Sequence, residues 1–519
     1  MHDLLHDLAL KVASHDCFSL HRSNVKSVQF MPSARHLSII IDSAGDSDGV
    51  TRENFRSELI KLKTRLKVEK LQTLLIFGTI DESFAHIFSD VFEKANDLRV
   101  LHLPSISYHV DSIFHNFSKL LHLRYLLLGT WNNGIHLPSA ISIFYHLRIL
   151  DLEGWKVSLD FPAHFSNLGK LRHFPTRHNE LHSLISNVGK LQFLQELKKF
   201  IVGREENGFE LNQLGQMVDL TELGIYNLER VQTKETAAEA RLTDKIHLRN
   251  LILKWESNNE HDMETLVLES LRPHNNLEHL YIGGHRGPSC PTWLGSELSA
   301  KGLKSLQLDD VAWKTLPSLG EMWVLDELSL KRIHILNEFG PNHFGPITEP
   351  SFCSLKRLTL FRLERLEKWV VGDAPQLFSG LQVLTIEECP ELLELPFVNN
   401  MHFLPNLGEF IIKKCPKLMS LPPILWTHTL SLVKMEEVGS LFRLNYSKYY
   451  SHVELDIIVK YRKQQEILLV PSNLTELQRL SISWDSTRML SDLKMLTSLK
   501  RLSLRQCKIV AGTVGDSEW

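Results

Sequence analysis

The chain lacks the features that mark secreted, membrane-spanning and nucleic-acid-binding proteins. Its 519 residues contain no run of 18 or more apolar residues and no charged-then-apolar signal region at the N-terminus. Lys and Arg number 58 against 61 Asp and Glu, a net charge of −3, and no long block carries one sign. We therefore predict a cytoplasmic protein with no membrane span and no basic stripe for nucleic acid.

Cysteine is sparse and unpaired in the sequence. The six cysteines are widely separated and form no C-x-x-C pair, which excludes a disulfide scaffold or a zinc knuckle and predicts reduced thiols. Three of them share one position, three residues after the last aliphatic residue of a repeated phrase: Cys389, Cys415 and Cys507. A shared position predicts a structural role where the strand turns into a loop, because a nucleophile would need its own particular base.

Catalytic and nucleotide-binding motifs are also missing. Gly169-Lys170 and Gly189-Lys190 lack the upstream glycine and the following hydroxyl of a phosphate-binding loop. Neither G-x-G-x-x-G nor G-x-S-x-G occurs, and the 26 histidines are scattered. We therefore expect no enzymatic activity, no metal site and no cofactor held by this chain itself.

One phrase, Leu-x-x-Leu-x-Leu, recurs along the chain. Clear copies begin at Leu98, Leu123, Leu147, Leu220, Leu248, Leu277, Leu303, Leu325, Leu355, Leu381, Leu407, Leu477 and Leu499, and weaker ones at Leu71, Leu171, Leu194 and Leu430. Successive starts mostly differ by about 22 to 30 residues, the period of leucine-rich repeats. The alternating leucines indicate strands whose apolar side is covered only when neighbouring repeats stack.

The pattern predicts an α/β leucine-rich-repeat solenoid, a horseshoe with a curved parallel β-sheet, over residues 68–510. Residues 23–67 are assigned to a connector and N-terminal cap, and 511–519 to a C-terminal tail. The repeat is irregular over 440–472, where the spacing from Leu430 to Leu477 is about twice normal. Either a degenerate repeat with a long loop lies there, or a partner-contacting group around Tyr446, Tyr449, Tyr450 and Tyr461.

The third, fifth, seventh and eighth positions of the phrase are predicted to project from the concave sheet. Candidate partner-binding residues on this basis are Trp255, Tyr281, Asp309, Lys331, Arg332, Phe361, Arg362, Glu387 and Lys413. Strands lie about 4.8 Å apart, so opposite charges would alternate side by side. Two interpretations stay open: a surface ladder that neutralises itself, or a charge pattern that selects a partner, with Trp255, Tyr281 and Phe361 as exposed aromatic anchors.

The chain begins with MHDLLHDLALKVA, which permits two interpretations. His2 and His6 lie four residues apart, as the zinc ligands of helical metalloproteases do, but no third ligand or basic glutamate accompanies them. On a helix, Leu4, Leu5, Leu8 and Val12 form one apolar side, and His2 and His6 share the opposite side. An amphipathic helix is therefore the preferred interpretation.

Several segments together resemble plant intracellular immune receptors of the nucleotide-binding leucine-rich-repeat family, in the coiled-coil subclass. They are the initial MHDLLHDLA, MPSARHLSI at Met31, LRVLHLPS at Leu98, LRYLLLG at Leu123 and the long run from Gly189 to Val231. In that family the Met-His-Asp motif ends a winged-helix region (NB-ARC), and its histidine lies against bound ADP. The resemblance implies that residues 1–22 are the remnant of this region, with His2 as nucleotide sensor and Asp3 fixing its geometry.

The same resemblance implies a plant immune function. We expect a fragment that begins at the Met-His-Asp motif, with ADP or ATP bound only by a full-length parent. Its expected partners are a pathogen effector or guarded host protein, and its own or a partner NB-ARC domain, for effector recognition and autoinhibition. The alternative is a leucine-rich-repeat substrate receptor of a ubiquitin ligase, or a general interaction scaffold without an immune role.

Overall fold

The computed structural model describes the chain in separate stretches. They are residues 11–13, 15–21, 23–25, 34–41, 52–80, 82–106, 115–129, 137, 139–154, 162, 164–203, 208–256, 263–296, 302–340, 352–370, 377–395, 404–418, 429, 431–438, 454–458, 479–483, 497 and 499–505. The chain divides into two compact units. The first comprises Met1–Tyr226 and Ala238–Leu248, and the second comprises Asn227–Ala237 and Arg249–Trp519.

The first unit is built on parallel strands that follow one another in chain order. Its strands are Cys17–Leu20, His36–Ile41, Thr73–Ile80, Val100–Leu103, Ser105–Ile106, Tyr125–Leu128, Ile149–Asp151, Glu196–Ile201 and Glu222–Tyr226. Leu74, Leu101, Leu126 and Leu150 are paired in register across the sheet, and none is more than 1% exposed. The strand His36–Ile41 belongs to a repeat with Ala34 in place of the first leucine, which hid this repeat from the sequence pattern.

The second unit repeats the same arrangement. Its strands are Asn250–Lys254, His279–Gly283, Ser305–Asp309, Glu327–Lys331, Arg357–Phe361, Val383–Glu387, Glu409–Cys415, Leu432–Val438, Glu454–Ile458, Arg479–Ser483 and Arg501–Arg505, with a separate short pair, Glu338–Phe339 and Lys368–Trp369. Leu306, Leu328, Leu358 and Leu384 lie side by side and are fully buried. Because removing one such leucine costs about 2–5 kcal/mol, this spine holds each coil to the next.

Short helices connect the strands on the far side of each coil. The α-helices are Arg52–Arg65, Glu82–Lys94, Lys234–Ala238, Glu264–Ser270 and Thr292–Ser296. Most other described connections are 3-10 turns: Val68–Lys70, His115–Lys119, Ser139–Ile143, Phe165–Asn167, Asn179–Leu184, Val188–Lys190, Leu211–Leu214, Leu228–Arg230, Leu242–Asp244 and Leu319–Glu321. Phenylalanine side chains in or next to these turns pack inward: Phe117 and Phe144, with ring centroids 6.2 Å apart, are fully buried. The leucine-rich-repeat solenoid predicted from the sequence is confirmed.

In nine of the described repeats, the eighth position of the phrase adopts a left-handed conformation that ends the strand. Positive φ values occur there at Gly78, Asn227, Gly284, Asp310, Arg332, Arg362, Glu388, Lys414 and Glu437. The N–H group of Asp310 donates to the carbonyl of Lys331 at 2.8 Å, and that of Arg332 to the carbonyl of Phe361 at 2.9 Å. The turn therefore places a backbone donor against the next coil, which offsets the cost of a left-handed non-glycine residue.

The irregular segment contains one more repeat. Glu454–Ile458 is a strand that pairs with Leu432–Val438 on one side and Arg479–Ser483 on the other. His452 occupies the position of the first leucine, so the phrase was not recognisable. A strand at this place is what the degenerate-repeat interpretation predicted. Tyr446, Tyr449, Tyr450 and Tyr461 lie outside the described residues.

Candidate recognition surface

In the second unit, the third, fifth and seventh positions project from the side of the sheet opposite the leucines. The fifth positions of five consecutive coils carry no charge: Gln307, Ser329, Thr359, Thr385 and Ile411 are neighbours in register, and beyond Ile411 the row continues with Lys434 and Asp456. Charged residues of the third and seventh positions lie on both sides of this row. A partner would therefore meet an uncharged centre between two charged borders, a composition common in recognition surfaces.

Opposite charges on neighbouring coils are paired. Lys413 Nζ lies 2.5 Å from Glu387 Oε1, and one position further Lys414 donates to Glu388. The hydrogen bond from Lys414 lowers the pKa of Glu388. Exposed pairs of this kind contribute about 0–1 kcal/mol each. At these coils the surface ladder neutralises itself, as one of the two sequence interpretations predicted.

Asp309 departs from the prediction that the seventh position is exposed, because only 7% of the residue is accessible. Its carboxylate accepts two hydrogen bonds from Arg332, Nε to Oδ1 at 2.8 Å and Nη2 to Oδ2 at 2.9 Å. The Tyr281 hydroxyl donates to Oδ2 at 3.1 Å. A buried carboxylate needs such partners. The hydrogen bond to Asp309 also raises the pKa of Arg332.

The adjacent Asp310 has a second set of partners. Arg286 donates to it twice, from Nη1 to Oδ1 at 3.0 Å and from Nη2 to Oδ2 at 2.7 Å. His334 Nε2 is 3.7 Å from Asp310 Oδ1, and Glu364 Oε1 is 3.8 Å from Arg362 Nε. Asp309, Arg332 and Arg362, predicted as contact residues, are thus each held by an oppositely charged side chain.

Trp255 is not the exposed anchor that the sequence predicted, because it is only 2% accessible. Its ring meets the edge of His285 at a centroid distance of 4.8 Å, and His285 Nδ1 accepts the indole N–H of Trp313 at 2.8 Å. Burial lowers the pKa of His285 to about 4, so the imidazole is neutral. Trp255 occupies the eighth position of its repeat, and its side chain packs into the core. Trp255, His285 and Trp313 therefore form a structural cluster.

The other candidate aromatics and Lys331 remain on the surface. Tyr281, Phe361 and Lys331 are each partly accessible. Phe361 pairs in register with Lys331 on one side and Glu387 on the other. An aromatic side chain between charges is the arrangement expected of an interaction anchor.

The remaining predicted positions are either structural or outside the described residues. Cys389 and Cys415 are fully buried, as expected for residues with a structural role. The contact with Cys415 and burial together raise the pKa of the Cys389 thiol. Cys507, His2 and Asp3 lie outside the described residues. Among the residues that the structure does describe, no three His, Cys, Asp or Glu side chains are grouped as metal ligands. Its described helices are all too short or too polar to cross a bilayer.

The contacts of Arg332 predict a stability effect. If Lys331 and Arg332 both projected freely from the sheet, as the sequence pattern predicts, reversing both to Glu would leave the fold intact. Arg332→Glu instead places a second carboxylate beside Asp309, and we expect a loss of about 1–3 kcal/mol, since the side chain of Arg332 is 44% exposed and partly screened. Lys331→Glu is the control and should cost less than about 0.5 kcal/mol. Urea denaturation of both variants measures these losses of stability. Equal losses would mean that Asp309 is exposed to solvent.

Comparisons with known proteins identify the class. Residues 211–333 match the family model described as R13L1/DRL21 LRRs. The chain is 31% identical over 213 residues to disease resistance protein RGA2 of Solanum bulbocastanum, covering 39% of this chain and 22% of that protein. It is 26% identical over 411 residues to the putative disease resistance protein At3g14460 of Arabidopsis thaliana, covering 76% of this chain and 28% of the relative.

A solved structure with a similar repeat arrangement is a leucine-rich-repeat protein of Leptospira interrogans, at 17% identity and a TM-score of 0.40, covering 95% of this chain and 97% of that one. The chain spans under a third of the length of the two plant relatives above. It is a leucine-rich-repeat protein. Its homologues are plant disease resistance proteins, as the sequence resemblance implied.

Proposed function

We propose that this chain is the recognition region of a plant immune receptor, and that the second unit contacts a pathogen effector or a guarded host protein. The observation that carries the proposal is the similarity of the repeats to those of disease resistance proteins. The uncharged row and the partly exposed Tyr281 and Phe361 supply the contact surface. Binding energy would come from these aromatic side chains, and the charged borders would select among partners.

A second partner of the repeats would be an NB-ARC domain, from the same receptor or another one, held in a resting state. The proposed setting is the cytoplasm. ADP or ATP would belong to that domain, with His2 and Asp3 completing its site, and the repeats would perform no chemistry. The competing function is substrate recognition for a ubiquitin ligase. It would use the same surface, but the chain would associate with a ligase adaptor and not with an NB-ARC domain.

Affinity capture from plant tissue separates these functions. The chain is expressed with a tag, together with Phe361→Asp and a control variant, Val324→Asp. Val324 is 43% exposed and lies before the first leucine of its repeat, away from the projecting positions. We expect the chain and the Val324 variant to recover a nucleotide-binding immune protein or an effector, and Phe361→Asp to recover at least tenfold less. Recovery of ligase adaptors instead, or equal loss in both variants, would contradict the proposal.

A further inference from the structure

The first unit carries a column of arginines that the recognition surface does not use. Arg99, Arg124, Arg148 and Arg172 each follow the first leucine of a repeat, in four consecutive coils. We name this column, together with Lys170, the basic ridge. All five side chains are exposed. The sequence led us to expect no basic stripe, because the cations are about 24 residues apart in the chain and only stacking brings them together.

Backbone hydrogen bonds stack the ridge directly. The N–H group of Arg124 donates to the carbonyl of Arg99 at 2.7 Å, that of Arg148 to Arg124 at 2.8 Å, and that of Arg172 to Arg148 at 2.8 Å. The four α-carbons therefore follow one another at the spacing of neighbouring strands, about 4.8 Å. Four guanidinium groups rise from one line of the surface.

The charge of the ridge is not neutralised by neighbouring coils. Within the described part of the chain, none of its four arginines lies within ion-pair distance of a carboxylate. The same register position in the second unit behaves differently: Lys304 Nζ is 2.8 Å from Glu278 Oε2, and Lys356 Nζ is 3.3 Å from Asp326 Oδ1. Like charges placed side by side are destabilising, so a row of them without counter-charges favours an external anion.

The residues beside the ridge add further donors and few acids. His122 and His146 precede the first leucine of their repeats and stack at 6.2 Å, and Lys170 Nζ is 3.2 Å from His146 Nδ1. The charge of Lys170 is the main cause of the lowered pKa of His146. Across the two residues before the first leucine and the one after it, these four coils contain a single carboxylate, Asp97.

Exposed apolar side chains run along the same edge. Leu121 is 50% and Tyr145 is 56% accessible, two residues before the first leucine of their coils, and Phe193 follows at 44%. Beyond Gly169 and Gln192, which occupy this position in the next two coils, Val218 and Ile246 are 44% and 51% accessible. Aliphatic side chains make no favourable contact with the phosphate backbone of a nucleic acid. Arginine beside leucine and tyrosine is typical of protein–protein interfaces, which favours a protein partner.

We propose that the basic ridge and its apolar neighbours bind an acidic protein segment in which carboxylates alternate with aliphatic residues. The arginines would pair with the carboxylates, and Leu121 and Tyr145 would cover the aliphatic side chains. This surface lies in the first unit and is separate from the recognition surface proposed above, so it does not depend on effector binding.

Fluorescence anisotropy on the full purified chain tests this surface. The first probe is a labelled synthetic peptide of alternating Glu and Leu. The second probe is a labelled oligouridine, which represents the alternative ligand, a nucleic acid. We expect Arg124→Glu with Arg148→Glu to weaken peptide binding at least tenfold, and Arg124→Gln with Arg148→Gln to weaken it less. Lys304→Glu with Lys356→Glu is the matched control. It alters the same position of the repeat in the second unit and changes the net charge by the same amount as the arginine double variant, but it should leave peptide binding within twofold.

The apolar half of the surface has its own test. Leu121→Ala should weaken binding of the Glu-Leu peptide about fivefold and leave any oligouridine binding unchanged, because an aliphatic side chain packs against leucine but neither pairs with phosphate nor stacks on a base. No binding of the peptide at physiological salt, an equal loss in the Lys304 and Lys356 control, or oligouridine bound as tightly as the peptide would each overturn the proposal. A circular dichroism spectrum of each variant, matching that of the unchanged chain, shows that folding is intact.

Discussion

Gly284→Ala is expected to lower the free energy of unfolding by about 2–5 kcal/mol. Gly284 has a φ of +76°, and a Cβ built on it would lie 2.1 Å from the backbone oxygen of Trp255. The left-handed conformation alone disfavours alanine, and the contact with a backbone atom of the preceding coil cannot be relieved by rotating a side chain. Chemical denaturation followed by circular dichroism measures the loss.

The control for this prediction is Glu388→Ala. Glu388 occupies the same position of a later repeat with a φ of +56°, and it already carries a Cβ. Its replacement removes only the surface pair with Lys414, which contributes about 0–1 kcal/mol. If Gly284→Ala were no more harmful than Glu388→Ala, the close approach of the coils at Trp255 would not be rigid.

Acid is expected to destabilise both units through two buried histidines. Desolvation by burial is the main cause that lowers the pKa of His182, in the first unit, to about 4, and that of His285, in the second, to about 4. In the unfolded chain a histidine titrates near 6.5. Between these values the unfolded state binds more protons, so stability falls as the pH decreases from about 6.5 to about 4. Each histidine should account for a loss of about 2 kcal/mol between pH 7 and pH 5.

Substitution isolates this effect. His285→Gln removes one titrating group, so the dependence of unfolding free energy on pH should become shallower between pH 7 and pH 5, although the variant is less stable at neutral pH. Leu280→Ala serves as the comparison, since it removes a side chain only 2% exposed and leaves both imidazoles in place. It should be destabilised by a similar amount at every pH. A slope unchanged in His285→Gln would mean that the pKa of His285 is the same in the folded and the unfolded chain.

The fold was predictable from the sequence wherever the repeat kept its first leucine. Coils from Leu98, Leu303 and Leu355 begin their strands as the phrase predicts. Coils with Ala34 or His452 at that position were hidden, because the remaining alternation is too short to distinguish from other strands. Stacking on both neighbours forms these coils in spite of the missing leucine.

The surface was less predictable than the fold. Alternation correctly placed Phe361 and Lys331 on the projecting side, but it also placed Trp255 and Asp309 there, and both are buried. The eighth position follows the strand, and its direction depends on the turn: Arg332 adopts a left-handed conformation and reaches back to Asp309, whereas Trp255 packs inward against His285. Local pattern does not encode which of these occurs.

The sequence by itself determined the repeat, its parallel strands and the buried aliphatic spine, because a period in the chain directly dictates which side chains must be shielded from water. Only the tertiary structure decided which charges meet. Arg99, Arg124, Arg148 and Arg172 become one unneutralised column, while Lys304 and Lys356 find carboxylates on the neighbouring coil. Coulombic interactions depend on distances between coils, and those distances exist only after the repeats have stacked.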